Sequence, residues 1–196
     1  MPETPYKIEQ FKKALHDRSA FSCGVDPIDN WVKNSITEET KSDRVRLWCG
    51  TDPSGALFGV YALNPHSIAV EDAGQLSTKR EAQALERGRS AKPVPVLYLT
   101  CLAIDQRFQK MGLGEALMGH AIQKAVKLSE EIPVSAIVLD VYDDDNFGRR
   151  LEFYQRLGFH SFDEDKPARM YLPIVDARKS IEKADKVQAV SPESIG

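Results

Sequence analysis

Apolar and polar positions change period several times along the chain, and each change predicts an element. Behind Asp26-Pro27, residues Ile28, Trp31, Val32 and Ile36 recur at helical spacing. Asp26 suits the N-cap, Pro27 the first helical position, and Asp29 adds negative charge to the first turn. This helix is expected to end near Thr40. Val45–Cys49 and Ala56–Leu63 read as two strands of a hairpin. They are joined at Asp52-Pro53-Ser54-Gly55, a turn whose second residue has its φ already set. Asn64-Pro65 is expected to break the second strand. The near-continuous apolar run Val94–Ile104 predicts a central strand covered on both faces. After Gly114, the residues Leu117, Met118, Ala121, Ile122, Ala125 and Val126 fall on one helix face. Ala136–Tyr142 predicts a strand, and Arg149–Leu157 a short helix stopped by Gly158. Phe159–Phe162 and Met170–Leu172 then read as a closing pair of strands.

The remaining stretches are polar. Residues 1–20 form a mixed N-terminal segment, 21–175 the domain, and 176–196 a charged tail read as a surface helix followed by disorder. Residues 71–93 lack a period, and 76–92 hold Lys79, Arg80, Arg87, Arg89 and Lys92 against Glu81 and Glu86. Such a charge run is favoured as a solvated loop or frayed helix over a binding patch. Helix, hairpin, central strand, helix, strand, helix and closing strands describe a mixed sheet in a single-domain α/β (α+β) fold.

Composition narrows the function classes. The 196 residues carry a formal net charge of -3, so no global basic field marks a nucleic-acid binder. Cys23, Cys49 and Cys101 are far apart and form no CxxC pair, and the four histidines show no HExxH spacing. A disulfide scaffold and a metal site are therefore not expected, and a reducing cytoplasm fits. The opening residues have no signal-peptide apolar core. The Val94–Ile104 run is too short to span a bilayer, so no membrane role is expected.

The segment Gln109-Lys110-Met111-Gly112-Leu113-Gly114 carries the candidate chemistry. A buried strand, a short loop with two glycines and an amphipathic helix together make an anion site. The first helical N–H groups lack intrahelical acceptors, and the helix dipole adds partial positive charge. Gly112 and Gly114 allow close backbone approach, and Arg107 and Lys110 offer counter-charge. Neither GK[ST] nor GxGxxG is present, which removes support for nucleotide hydrolysis and dinucleotide binding.

This loop, behind Leu102-Ala103-Ile104-Asp105, resembles the acetyl-CoA loop [Q/R]xxGx[G/A] of the GNAT N-acetyltransferase family. Phe153-Tyr154 with Gly158-Phe159 resembles that family's FYxxxGF helix-to-strand junction, so the resemblance spans roughly residues 20–175. It implies a mixed, mostly antiparallel twisted sheet flanked by helices. The resemblance also implies site roles. The backbone of Leu102, Ala103 and Ile104 would bind pantetheine. Gln109, Gly112 and Gly114, with the amides of Lys110, Met111, Leu113 and Glu115, would cradle the pyrophosphate. Tyr154 would be the general acid for the leaving thiolate. Asn146 matches an asparagine that contacts the cofactor, although seven positions separate it from Phe153 where six are expected.

The run Phe21-Ser22-Cys23-Gly24-Val25-Asp26-Pro27-Ile28-Asp29-Asn30-Trp31 resembles the opening of the acetyltransferase toxins of bacterial toxin–antitoxin pairs. Gly59–Leu63 and Pro93–Asp105 resemble two of their strands. Where many of those toxins carry Gly-Arg, this chain has Thr100-Cys101. The resemblance implies acetylation of the α-amino group of aminoacyl-tRNA, a homodimer, and a small ribbon-helix-helix antitoxin as partner. Two alternatives stand beside it: an acetyltransferase for a small-molecule or protein amine, and a non-catalytic acyl-CoA- or partner-binding module.

Direct attack by a neutral amine needs no enzyme nucleophile. Cys101, inside an apolar strand, is accordingly read as core rather than as an acetyl carrier. An α-amino group has a pKa of roughly 8 and needs little help from a base. Glu152 and Asp143 to Asp145 are therefore read as surface residues first.

Overall fold

The structure, a computed structural model, describes residues 6–76, 78, 79, 83, 87 and 91–190. The strands are β1 (Lys7–Gln10), β2 (Arg46–Thr51), β3 (Leu57–Ile68), β4 (Val94–Ile104), β5 (Ala136–Asp140), β6 (His160–Ser161) and β7 (Arg169–Pro173). The helices are α1 (Asp26–Asn30), α2 (Ile36–Lys41), α3 (Leu113–Leu128), α4 (Phe147–Arg156) and α5 (Ile174–Val190). A π-helical turn, Trp31–Ser35, joins α1 to α2. The sheet has seven strands in the order β1-β2-β3-β4-β5-β7-β6. The β4–β5 pair is parallel, whereas β1–β2, β2–β3, β5–β7 and β6–β7 are antiparallel. The chain divides into two compact units, Met1–Asn64 with Leu99–Ala121 and Pro65–Tyr98 with Ile122–Gly196.

In the first unit the predicted helix face is the core face. Val32 and Ile36 are fully buried and pack with Phe21 against Leu47 and Cys49 of β2, Val60 and Ala62 of β3, and Cys101 and Ala103 of β4. Ile28 and Trp31 seal the edge of this cluster, half-buried. The N-cap is Val25 rather than Asp26, which already lies in the first turn with Pro27. The hairpin turn forms as its residues dictate. Asp52 Oδ1 accepts from the N–H groups of Ser54 and Ala56, each at 2.9 Å, and Gly55 takes φ +85°.

Two features of this unit depart from the sequence reading. Lys7–Gln10 pairs with β2, so the polar N-terminal segment contributes an edge strand. The second departure is that Asn64-Pro65 does not end β3, which runs on to Ile68. The last β2 partner of β3 is Leu63, opposite Arg46. Beyond it Pro65 faces no β2 ladder, so its missing N–H breaks no bond on that side.

Gly59 shows how closely β3, β4 and α3 approach. A Cβ there would lie 2.7 Å from Ile104 Cδ1, 2.9 Å from the Ala103 carbonyl oxygen and 3.2 Å from Leu117 Cδ2. All six apolar positions predicted for the helix after Gly114 are buried, with Leu117, Met118, Ala121 and Ala125 at 0% exposure. The central strand is not covered on both faces along its whole length. In its last five residues Cys101 and Ala103 are buried, Thr100 is exposed, and Leu102 and Ile104 are half-buried. The apolar run hides this because Leu102 and Ile104 are hydrophobic on the open face.

In the second unit Ile68, Val70 and Ala73 pack over Val94 and Val96 of β4, Ala136 and Val138 of β5, and Tyr171 of β7. α4 begins two residues earlier than predicted, and Gly158, at φ +90°, follows its end as expected. The tail helix begins at Ile174 and buries Ala177 completely. Lys79, Arg87 and Lys92 of the basic stretch are exposed. Arg80 and Arg89, and residues 191–196 of the tail, lie outside the described residues. Gly59→Ala is expected to destabilise the protein by about 1–3 kcal/mol, because backbone and packed side chains on three elements must give way. Urea unfolding of the variant against wild type checks this.

Candidate active site

The site is built where β4 runs out. Asp105 follows the strand, and its carboxylate is buried at 1% exposure. It caps the short 3₁₀ turn Gln106–Phe108, accepting from the Arg107 N–H at 3.0 Å. It also accepts from Arg107 Nε at 2.8 Å and Nη2 at 3.1 Å, and from the Ser22 N–H at 3.0 Å. Burial pushes this carboxyl up, but the Arg107 and Ser22 hydrogen bonds outweigh burial and hold it below the usual carboxylate range. Arg107 is thus paired to Asp105, whereas Lys110 is exposed and makes no ion pair among the described residues.

The loop beyond turns on two left-handed residues, Lys110 at φ +64° and Gly112 at φ +77°, with Met111 between them. Left-handed residues in such a loop gather successive N–H groups into an anion-binding concavity. The first hydrogen bonds that feed α3 run from the N–H groups of Glu115 and Ala116 to the Gly112 carbonyl, at 3.1 and 3.3 Å. Among the described residues, the N–H groups of Lys110, Met111, Gly112, Leu113 and Gly114 find no acceptor. Five consecutive donors therefore sit at the positive end of a 16-residue helix. A Cβ at Gly112 would meet nothing within 4 Å, so this side of the loop is open. These features fit a pyrophosphate.

Gln109 serves the loop differently from the sequence expectation. Its side-chain Nε2 donates to the carbonyls of Cys23 and Ile104, both at 3.0 Å. An amide nitrogen has two hydrogens, and both are used. The side chain therefore holds the loop and has no N–H left for a phosphate.

Leu102, Ala103 and Ile104 stand on β4, directly before this loop, and the first unit brings them together with Gln109 to Glu115. Asn146 and Tyr154 belong to the second unit. Asn146 is the exposed N-cap residue of α4, with its own N–H on Asp144 Oδ1 at 2.8 Å. Asp144 is also bound by both Nη atoms of Arg150. The acidic run before Asn146 is thus a hydrogen-bonded turn at the helix entrance. Tyr154 is half-buried on α4, with the rings of Phe153 and Phe159 edge-on at 5.1 and 5.7 Å. The cysteines match a core role. Burial pushes the Cys101 thiol up, and Cys23 and Cys49 up to about 12, so none is a thiolate at neutral pH.

Residues 29–159 match the family model described as the acetyltransferase (GNAT) family. With this fold and this loop, the chain belongs to the GNAT acetyltransferases. It is similar to a probable toxin TacT of Sinorhizobium fredii (strain NBRC 101917 / NGR234), 30% identical over 175 residues that cover 87% of this chain and 92% of that protein. It is also similar to a tRNA-acetylating toxin of Mycobacterium tuberculosis (strain ATCC 25618 / H37Rv), 29% identical over 165 residues that cover 84% and 90%. A solved structure of a mutant AtaT toxin bound to the C-terminus of the antitoxin AtaR and acetyl-CoA has the same fold. Its TM-score is 0.71 at 18% identity, over 90% of this chain and 98% of that one.

Asp105 gives the site an acid limit. Its folded pKa lies below the unfolded value of about 3.9, so its contribution is complete above that value and is lost as the pH falls through the lowered one. Asp105→Asn is expected to be less stable than wild type by about 1–3 kcal/mol at pH 7, with the gap closing below about pH 4. Denaturant unfolding of both proteins from pH 7 to pH 3 checks this.

Proposed function

We propose that the chain moves the acetyl group of acetyl-CoA to the α-amino group of aminoacyl-tRNA and acts as a translation-blocking toxin. The observation that carries the reading is the row of five N–H groups from Lys110 to Gly114 that find no acceptor among the described residues. It lies in a chain that resembles acetyltransferase toxins, one of them named for tRNA acetylation, along most of its length. Acetyl-CoA, when bound, supplies an acetyl group activated as a thioester. The N–H groups of Lys110 to Gly114 bind its pyrophosphate. Glu115 N–H already bonds to Gly112 and contributes less. The backbone of Leu102 to Ile104, on the open half of β4, orients the pantetheine arm. Tyr154 would supply the proton to the departing thiolate and be reprotonated, through solvent, by the proton that the attacking nitrogen sheds, and its flanking rings fix its ring plane. Asn146 contacts the cofactor from the start of α4.

The acceptor amine needs no strong base, since an α-amino group with a pKa of roughly 8 is partly neutral at physiological pH. The reading includes a homodimer, a cytoplasmic location and neutralisation by a small antitoxin. Three free thiols fit a reducing compartment. No helix among the described residues is long and apolar enough to cross a membrane. The AtaT toxin, a protein of the same fold, is bound by the C-terminus of an antitoxin.

The test uses purified protein, labelled acetyl-CoA, and charged against uncharged tRNA. Label is expected on the α-amine of charged tRNA only; turnover of a small amine with no label on charged tRNA overturns the acceptor. Tyr154→Phe is expected to lower kcat by about 10²-fold or more with acetyl-CoA affinity retained. Gly112→Asp is expected to abolish acetyl-CoA binding, because a carboxylate then faces the pyrophosphate from a residue held at positive φ. Unchanged affinity in that variant would place the cofactor elsewhere.

A further inference from the structure

The run from Phe21 to Trp31 lies far from the phosphate loop in sequence, yet the first unit ties the two together at several points. The Ser22 N–H donates to Asp105 Oδ2 at 3.0 Å. The Ser22 carbonyl accepts from the Gln106 N–H at 2.8 Å. The Cys23 carbonyl accepts from Gln109 Nε2 at 3.0 Å. Gly24 stands at φ +87°, where a Cβ would lie 2.6 Å from Gln106 Nε2. The turn 22–24 therefore holds residues 105, 106 and 109, which precede the loop in the chain.

The turn is itself held by one buried carboxylate. Asp29, at 8% exposure, accepts from Ser22 Oγ at 2.8 Å through Oδ2 and from the Cys23 N–H at 2.7 Å through Oδ1. Burial pushes its carboxyl up, and its bonds to Cys23, Ser22 and Gly24 outweigh that and leave it lowered. Asp29 is thus ionised at neutral pH, and both oxygens point at backbone and side-chain donors of the turn. Asp29 does not reach the loop; it acts on it through Ser22 and Cys23.

We infer that Asp29 and the turn Ser22–Gly24 are positioning residues for the pyrophosphate loop, setting its affinity for acetyl-CoA without touching the cofactor. The physical reason is preorganisation. Lys110 is a non-glycine residue in the left-handed region, a conformation that persists only where the surroundings hold it. Gln109 is its chain neighbour and hangs from the Cys23 carbonyl. If the turn relaxes, Gln109 loses one of its two anchors. The five N–H groups must then be re-aligned each time an anion binds, and the ordering weakens binding.

This inference rests on the proposed acetyl-CoA site, and its test separates the two. Full-length wild type, Asp29→Ala and Asp29→Asn are compared by acetyl-CoA titration, steady-state acetyl transfer and amide hydrogen exchange. Asp29→Ala is expected to raise Kd and KM for acetyl-CoA about tenfold, with kcat at saturating acetyl-CoA within about twofold of wild type. Asp29→Asn, which keeps one acceptor oxygen, is expected to raise Kd about threefold, between wild type and Asp29→Ala; if the alanine variant does not fold, an unchanged Kd in Asp29→Asn overturns the inference. The Gln106 and Arg107 N–H groups, bonded to Ser22 and Asp105, are expected to exchange faster in Asp29→Ala. Wild-type affinity in both variants, with only a lowered Tm, overturns the inference and leaves Asp29 a stability residue. A wild-type protein with no affinity for acetyl-CoA overturns the functional reading instead. The clamp is then judged by the exchange of Gln106 and Arg107, where unchanged rates overturn it.

Discussion

Five backbone N–H groups without an acceptor among the described residues, from Lys110 to Gly114, set the terms for the rest of the first unit. Unpaired donors in a loop are tolerable when water or an anion meets them, but a loop left to itself would collapse onto its own carbonyls. The chain prevents this by fixing the loop from behind. Gln109 spends both side-chain hydrogens on the Cys23 and Ile104 carbonyls, and Asp105 gathers four donors from Ser22 and Arg107. What remains unpaired is the edge that faces outward. The site is an arrangement of backbone, and side chains serve mainly to hold it.

β4 supplies the second constraint. Its buried residues Cys101 and Ala103 anchor it in the core shared with α1 and α2, while Thr100, Leu102 and Ile104 occupy a more open face. Its parallel register with β5 ends at Tyr98, so the edge of β4 beyond that residue has no β5 partner in the register. Gly59 allows the close approach of β3 to β4, since any side chain there would strike Ile104 or the Ala103 carbonyl. The second unit carries Tyr154 on one short helix, α4, with Asn146 as its N-cap; Asp144 and Arg150 fix the helix entrance and Gly158 follows its end.

Much of this is legible in the sequence. The bounds of β4 follow from its apolar run, and the buried stripe of α3 from helical periodicity. The loop followed from two glycines between them. Other features left no local signal. β1 is four residues of polar edge strand, too short to show alternation. β3 passes through Pro65 because β2 has already ended there, a fact about the neighbour rather than about β3. Ser22, one partner of Asp105, and Cys23, one partner of Gln109, lie 83 and 86 positions away, so no window of sequence reveals them. Gln109 was recognisable as part of a motif, but that its hydrogens are already used is a tertiary fact. The resemblance of Phe21–Trp31 to a toxin opening is visible in the sequence, while its hydrogen bonds to residues 105, 106 and 109 are not.

The central claim is that the N–H groups of Lys110 to Gly114 receive an anionic cofactor, and backbone amide NMR reads those groups one by one. On titration with acetyl-CoA, the account requires the largest downfield amide proton shifts at residues 110–114, as unpaired N–H groups become donors to phosphate oxygen. Smaller shifts are required at Glu115 and Ala116, which already bond to Gly112. Shifts confined to other elements, or saturable binding that leaves residues 110–114 unmoved, would contradict it.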